Sequence, residues 1–140
     1  MPNLVYNKFK EQAIRGNINL VSDVVNVALL ADTYTPNADH DTFSVIASGN
    51  QVVGSGYTAG GQALTGKTVT EEDANDRAVF TADNVTWISA TLSARYAVLY
   101  DVTVGGTNDL IALIDFGSNK SSDNGDFIIQ WDAEGILTLT

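Results

Sequence analysis

The chain has 140 residues and a formal net charge of -10, with 7 basic against 17 acidic side chains. Because a field of this sign repels nucleic-acid phosphates and anionic lipid headgroups, we expect neither nucleic acid nor membrane among its partners. The length is that of one average domain, so we take residues 1–140 as a single domain. The share of hydrophobic residues, 44%, is typical of a soluble protein with an ordinary core. With no Cys, disulfides and thiolate metal sites are excluded. The first residues lack the apolar run of a secretory signal, which favours synthesis in the cytoplasm.

The first predicted element is an amphipathic helix over residues 4–15. Asn3 is a suitable N-cap, and Gly16 can adopt the left-handed conformation that ends a helix. Apolar residues recur between them at near-helical spacing, namely Leu4, Phe9, Ala13 and Ile14. Three basic side chains against one acidic side chain give residues 1–15 a charge of +2, which leaves -12 for the remainder. The basic residues are Lys8, Lys10 and Arg15.

Beyond the helix the pattern changes to that of β-strands. Residues 24–30 form a short, branched, apolar run typical of a buried strand, and a turn follows at residues 34–37. Asp41 could cap one helical turn through Phe43 and Val45. Eight further candidate strands lie at residues 51–58, 62–70, 77–82, 84–88, 91–102, 109–116, 126–132 and 136–140, separated by clusters of Gly, Asn, Asp and Ser. This alternation of short strands and turns predicts a mainly β fold, an antiparallel β-sandwich or barrel-like domain formed by residues 17–140.

Two of these segments allow sharper predictions. In residues 91–100 one face carries apolar side chains and should point into the core, namely Leu92, Ala94, Tyr96, Val98 and Tyr100. Residues 126–132 and 136–140 are joined through Gly135 and should form a closing hairpin. Losing the last five residues should then remove ladder hydrogen bonds and apolar burial.

Residues 61–68, GQALTGKT, match the phosphate-loop pattern GxxxxGK[ST] at every position. Phosphate binding by such a loop requires a buried strand before it and a helix that starts at the Lys. Here Val69 and Thr70 favour a strand instead. We therefore interpret this segment as a turn between strands. The alternative is a nucleotide-binding enzyme, in which Lys67→Ala would abolish binding.

Other residues could carry chemistry, but each has a simpler explanation. His40 lies between Asp39 and Asp41 and could act as a base or metal ligand, yet this pattern is more typical of a solvated turn. Residues 71–76 and 121–126 offer oxygen ligands for Ca²⁺ without the spacing of a helix-loop-helix calcium site. We therefore predict no catalytic residue, no cofactor and no metal, with calcium as a secondary possibility.

A cation in the most apolar strand, Arg95, needs either a carboxylate such as Asp115 or a neighbouring subunit. Arg, Tyr and Trp are favoured interface anchors, and the basic helix could contact another subunit or an acidic patch of its own. The candidate protein-interface residues are Lys8, Lys10, Arg15, Arg95, Tyr57 and Trp87.

Several short segments of the sequence resemble segments of a group of small virion proteins from tailed phages and prophages. They are YNKFK at 6–10, VALL at 27–30, YTP at 34–36, GSGYTAGG at 54–61, KTVT at 67–70, ARYAV at 94–98 and NGDF at 124–127. The resemblance covers most of the chain. It implies a non-enzymatic virion structural protein, first of all a capsid decoration, or cement, protein.

In that role the chain would bind the major capsid protein on the outer surface of the shell and stabilise contacts between capsid subunits. The resemblance further implies synthesis in the bacterial host cytoplasm and a homo-oligomer, by analogy a trimer. A tail or baseplate component, or a module that binds a host-surface glycan, is the alternative. The aromatic residues available for a glycan are Tyr34, Tyr57, Trp87 and Trp131.

Overall fold

Two antiparallel sheets form the body of the structure, a computed structural model in which residues 3–140 are described. The five strands of the larger sheet are Leu4–Val5 (β1), Val25–Leu30 (β2), Gln62–Ala63 (β3), Val85–Asp101 (β6) and Asp109–Ile129 (β7). The smaller sheet contains Thr68–Glu72 (β4), Arg77–Thr81 (β5) and Leu137–Leu139 (β8). The helices are Asn7–Ile14 (α1) and Phe43–Ala47 (α2), with a 3-10 turn at Asp73–Asn75. The predicted mainly β fold with one short N-terminal helix is confirmed.

The strand order is β1-β7-β6-β2-β3 in the larger sheet and β4-β5-β8 in the smaller one. A buried cluster lies between the two sheets and includes Val27 and Leu29 from β2 with Phe80 from β5. A second cluster covers the opposite face of the larger sheet, where Leu30 packs with Phe43 of α2. Within residues 3–140, neither α1 nor α2 has the length and hydropathy of a membrane-spanning helix.

The β6–β7 hairpin is longer and more continuous than the sequence predicts. Its register runs from Val85 opposite Ile129 to Asp101 opposite Asp109. Residues 117–125, predicted to separate strands at 109–116 and 126–132, lie within β7, and the two strands predicted at 84–88 and 91–102 are one strand. Register shifts interrupt the pairing, so these Gly, Ser and Asn residues mark irregularities within the strands rather than chain reversals.

The burial predicted for alternate residues of 91–100 is confirmed, but these residues do not share one face. All five side chains are buried, namely Leu92, Ala94, Tyr96, Val98 and Tyr100. Leu92 and Ala94 belong to the cluster between the sheets, together with Ala97 and Leu99, whereas the three others belong to the cluster on the opposite face. The register shift between Ala94 and Tyr96 separates the two groups, so both faces of β6 contribute to the core.

The predicted N-terminal helix begins three residues too early. Leu4 and Val5 pair with β7 as a strand, and α1 starts at Asn7. Asn3 does not cap the helix, because its side-chain oxygen accepts a hydrogen bond from the backbone N–H of Asp115 at 2.7 Å. The exposed edge of β7 offered backbone partners that a helix pattern does not reveal. The predicted end is confirmed, since Gly16 follows α1 with a φ of 74°.

Two strand predictions and one helix boundary are also wrong in detail. Residues 51–58 make only isolated bridges, at Gln51 and Ser55. The strand predicted at 62–70 is divided into β3 and β4, which belong to different sheets. The helical turn expected after Asp41 forms as α2, with Thr42 rather than Asp41 at the N-cap position.

The closing hairpin predicted from residues 126–132 and 136–140 does not form. β8 pairs with β5, with Thr138 opposite Val79, and the backbone N–H of Ile136 donates to the carbonyl oxygen of Phe80 at 2.8 Å. The C-terminal strand therefore joins the smaller sheet, and fully buried Ile136 connects it to the core between the sheets.

Replacing the fully buried Ile136 by Ala should lower the free energy of unfolding by about 2–4 kcal/mol, because the lost methyl groups leave a cavity between the sheets. Ile128→Ala is the matched control, since that side chain is 57% exposed and should cost less than about 0.5 kcal/mol. Equilibrium denaturation of both variants provides the comparison. Equal losses would contradict the placement of residue 136 in the core.

Candidate interaction surfaces

The segment that matches the phosphate-loop pattern connects the two sheets. Gly61 has a φ of 78° and lies so close to β2 that a Cβ would overlap the carbonyl oxygen of Val27. The Lys67 ammonium group donates to the backbone carbonyl oxygen of Asp23, and the next residue, Thr68, begins β4. No helix starts at the Lys, so the interpretation as a turn between strands is confirmed.

His40 lies beside a tyrosine pair. The Tyr34 hydroxyl is 2.9 Å from Nδ1 of His40 and 3.0 Å from the hydroxyl of Tyr6. Burial raises the pKa of Tyr6, and its hydrogen bond to Tyr34 adds to the increase. The carboxylate of Asp39 accepts a hydrogen bond from the Asn7 side chain rather than orienting the imidazole. These contacts hold the loop against the start of α1.

The two acidic segments are used in secondary structure. Residues 71–76 end β4 and form the 3-10 turn, where Glu72 pairs with Arg77. Residues 121–126 lie inside β7, and the Asp126 carboxylate accepts a hydrogen bond from the backbone N–H of Ser89 at 3.0 Å. Within residues 3–140 no group of three or more His, Asp or Glu side chains is placed to hold a metal ion.

Arg95 forms the ion pair that the sequence suggested. Its Nε and Nη2 donate to the two carboxylate oxygens of Asp115 at 2.6 and 3.2 Å. The guanidinium carbon lies 5.5 Å from the ring centroid of Tyr96. Hydrogen bonding to Arg95 lowers the pKa of Asp115. The pair joins β6 to β7 beside an irregularity in their register.

The two aromatic interface candidates, Tyr57 and Trp87, pack in or against the cluster between the sheets. Trp87 is only 2% exposed and packs against Tyr57 and Phe127, so its predicted role as a surface residue is wrong for this chain. The Tyr57 hydroxyl accepts a hydrogen bond from the backbone N–H of Leu29 at 3.0 Å and donates one to the side-chain oxygen of Gln51. Burial raises the pKa of Tyr57 to about 12. Of the four proposed glycan-binding aromatics, Tyr34 and Trp87 are buried, whereas Tyr57 and Trp131 are partly exposed.

The basic interface candidates lie on α1 or directly after it and interact with helix residues. Lys8 and Arg15 both pair with Glu11, at 3.2 and 3.1 Å. Lys10 donates to the side-chain oxygen of Asn7 at 3.1 Å and forms no ion pair within residues 3–140. It lies beside a groove that the sequence did not reveal.

This groove runs between α1 and the smaller sheet and has a volume of about 660 Å³. Its lining includes Ile14 from α1, Val69 from β4 and Leu139 from β8. These three side chains are 89%, 48% and 78% exposed, whereas most large apolar residues of the chain are buried. We call this surface the apolar groove. A cluster of exposed apolar side chains is typical of a protein interaction site.

A second depression of about 730 Å³ is lined mainly by β7 and the residues that follow it. Phe116, Ile128 and Trp131 contribute apolar surface, and Lys120 and Asp126 contribute charge. Beyond Leu113 no strand within residues 3–140 pairs with the outer edge of β7. We call this depression, together with that unpaired edge, the edge trough. Such an edge can take up a further strand.

Comparisons with protein-family models, with curated proteins and with solved structures each find no significant match. The similarity to phage virion proteins noted in the sequence therefore stays a prediction. Of the sequence-derived interface candidates, the structure brings Lys10 to the apolar groove and places none in the lining of the edge trough. The alternation of Leu137 and Leu139 was a usable signal for the groove, but the partner strand predicted for them was wrong.

A buried carboxyl lies at the end of β6. Asp101 is fully buried, and its Oδ1 accepts hydrogen bonds from the backbone N–H groups of Thr103 and Val104 at 2.8 and 3.0 Å. Its Oδ2 accepts no hydrogen bond within residues 3–140. Burial raises the pKa of Asp101 to about 6, and the neighbouring Asp23 carboxyl adds to the increase.

In the folded protein the Asp101 carboxyl keeps its proton at pH values where an ordinary aspartate has lost it. The free energy of unfolding should therefore fall as the pH rises from about 4 through about 6. Asp101→Asn keeps the acceptor for Thr103 and Val104 and can donate to Asp23. We expect it to remove this decline and to add on the order of 1 kcal/mol to the free energy of unfolding at pH 7.5. Denaturation across this pH range measures the effect. The exposed control Asp123→Asn should show the same decline as the wild type. If Asp101→Asn also shows that decline, the raised pKa does not belong to Asp101.

Gly61→Ala should lower the free energy of unfolding by at least about 1 kcal/mol more than Gly106→Ala. Both glycines have a positive φ, but Gly106 has open space where a Cβ would go, so the difference isolates the close approach of Gly61 to β2. Thermal or chemical unfolding of the two variants provides the measurement. Equal losses would show that residue 61 is not held against Val27.

Proposed function

We propose that the chain is a non-enzymatic structural protein of a tailed-phage virion, and within the particle a capsid decoration protein. It binds the outer surface of the shell and stabilises contacts between major capsid subunits. The phage assignment rests on the sequence resemblance. The structural observation that carries the protein-binding role is the edge trough, where β7 continues far beyond its two-residue partner β1.

The edge trough supports binding to an extended segment of a capsid subunit. Main-chain N–H and C=O groups along an open strand edge give affinity without requiring one particular sequence. Apolar and aromatic side chains beside the edge, including Phe116 and Ile128, can bury side chains of the added segment. Lys120 and Asp126 supply charges of both signs for orientation.

Attachment at many symmetric positions would increase the effect of each modest contact. A shell presents the same capsid surface many times, and copies linked to one another bind with an avidity above that of a single contact. The net charge of -10 would keep the free protein soluble. The chain could therefore be made in the host cytoplasm and added to an assembled shell.

The contacts at the motif residues favour this role over nucleotide chemistry. Lys67 binds the backbone carbonyl of Asp23, two residues before β2 begins, and Gly61 packs on that strand. Both residues therefore contribute to the connection between the sheets. The tail or baseplate alternative would use the same kind of protein contact, and copy number separates it from the shell assignment.

The test uses particles of the encoding phage that lack this chain. Purified protein should bind them saturably, with hundreds of copies per particle, and raise their resistance to heat. Ile128→Asp should lower the affinity at least about tenfold, because a charge replaces apolar surface in the edge trough. Val53→Asp is the matched control, since Val53 is 95% exposed and lies outside both the edge trough and the apolar groove.

Three results would contradict this proposal. The first is no saturable attachment of the folded protein to the shell. The second is roughly a dozen copies or fewer confined to the tail, which would favour the tail or baseplate assignment. The third is the same loss of affinity for Val53→Asp as for Ile128→Asp, which would exclude the edge trough as the contact.

A further inference from the structure

We propose that the apolar groove binds a second copy of this chain, so that the protein forms a dimer with two-fold symmetry. This inference uses a different surface from the edge trough and does not depend on the phage assignment. It follows from the shape of the groove, the exposure of its apolar walls and the signs of the charges on them.

One wall of the groove is the exposed side of α1. Ala13 and Ile14 line it, and Ile14 is 89% exposed at the end of the helix. In the single chain this side chain covers little of the core and lies almost wholly in water. Burying this side chain would remove apolar surface from water, which favours a partner at this position.

The opposite wall is one face of the smaller sheet. Val69 pairs with Phe80, and Phe80 pairs with Leu137, so one row of side chains runs across the three strands. The next row on this face contains Glu71, Ala78 and Leu139. Phe80 and Leu137 are buried, whereas Val69 and Leu139 are 48% and 78% exposed. The apolar face thus extends beyond what this chain covers.

The two walls carry opposite charges. Lys10 lies on the helix wall, and Glu71 shares the sheet face with Val69. Neither side chain forms an ion pair within residues 3–140. Lys8 of α1 and Arg15, which follows the helix, are already paired with Glu11. Lys10 and Glu71 are therefore free to pair with charges on another molecule.

A surface with complementary walls can bind a copy of itself. In an isologous contact whose two-fold axis runs along the groove, the helix wall of each copy faces the sheet wall of the other. Ile14 of one copy then packs near Leu139 and Val69 of the second, and Lys10 approaches Glu71 of the second copy. Each contact occurs twice, and the apolar side chains of both grooves leave water together.

This geometry differs from the trimer expected by analogy. A threefold ring requires two different surfaces that meet head to tail, whereas here both complementary walls belong to a single groove. Two copies satisfy both walls and close the assembly. The edge trough of each copy stays available for another partner.

Sedimentation of the purified protein without particles tests the dimer. The wild type should be mainly dimeric at about 50 µM, and Ile14→Asp and Leu139→Asp should each weaken the dimer at least about tenfold. Val45→Asp is the matched control, because Val45 is 61% exposed and lies outside the groove, and it should leave the dimer intact. Circular dichroism verifies that every variant is folded.

Charge reversal tests the pairing itself. Lys10→Glu and Glu71→Lys should each weaken the dimer several-fold, and the double variant should restore most of the lost affinity. A monomeric wild type, a trimer, or a dimer that persists in folded Ile14→Asp and Leu139→Asp would overturn the proposal. Failure of the double variant to restore the affinity would overturn the Lys10–Glu71 contact. Because these measurements use no phage particles, they leave the proposed virion role to its own test.

Discussion

The antiparallel pairing of β6 with β7 is the constraint on which the other elements depend. The register extends from Val85 opposite Ile129 to Asp101 opposite Asp109, and it shifts where residues 116–119 of β7 stand opposite Arg95. β2 adds to the free side of β6, and β1 adds to the free side of β7. The bidentate ion pair between Arg95 and Asp115 joins the two strands beside the irregularity. The hairpin therefore provides the frame against which the smaller sheet and α2 pack.

Both interaction surfaces arise because neighbouring elements differ in length. β7 has 21 residues and its outer neighbour β1 has two, so the rest of its outer edge stays open in the edge trough. The apolar face of the smaller sheet extends past the short α1, which leaves Leu139 and Val69 beside the apolar groove. If both proposals hold, the groove joins two copies and the trough of each copy binds a shell subunit. A dimer with two shell contacts would bridge neighbouring capsid subunits.

Much of the fold could be predicted from local patterns, because apolar alternation determines which strand face is buried. Strand β2, the stop at Gly16 and the burial of alternate residues in 91–100 were all of this kind. The register shift after Ala94, which places these buried residues in two different clusters, was not. Pairing over long distances was not predictable in this way. Residues 126–140 suggested a hairpin by proximity, yet β8 pairs with β5, and turn-like residues near Gly117 are accommodated within a strand. The interaction surfaces were hidden for the same reason, since each depends on strand pairing that one sequence does not specify.

The proposed virion role requires that the open edge of β7 holds a segment of another protein in the assembled particle. Electron cryo-microscopy of particles that contain this chain would show whether it does. We expect density for the chain on the outer surface of the shell, with an extended capsid segment hydrogen-bonded along residues 116–129 of β7. Density that places the chain in the tail, or on the shell with that edge facing solvent, would contradict it.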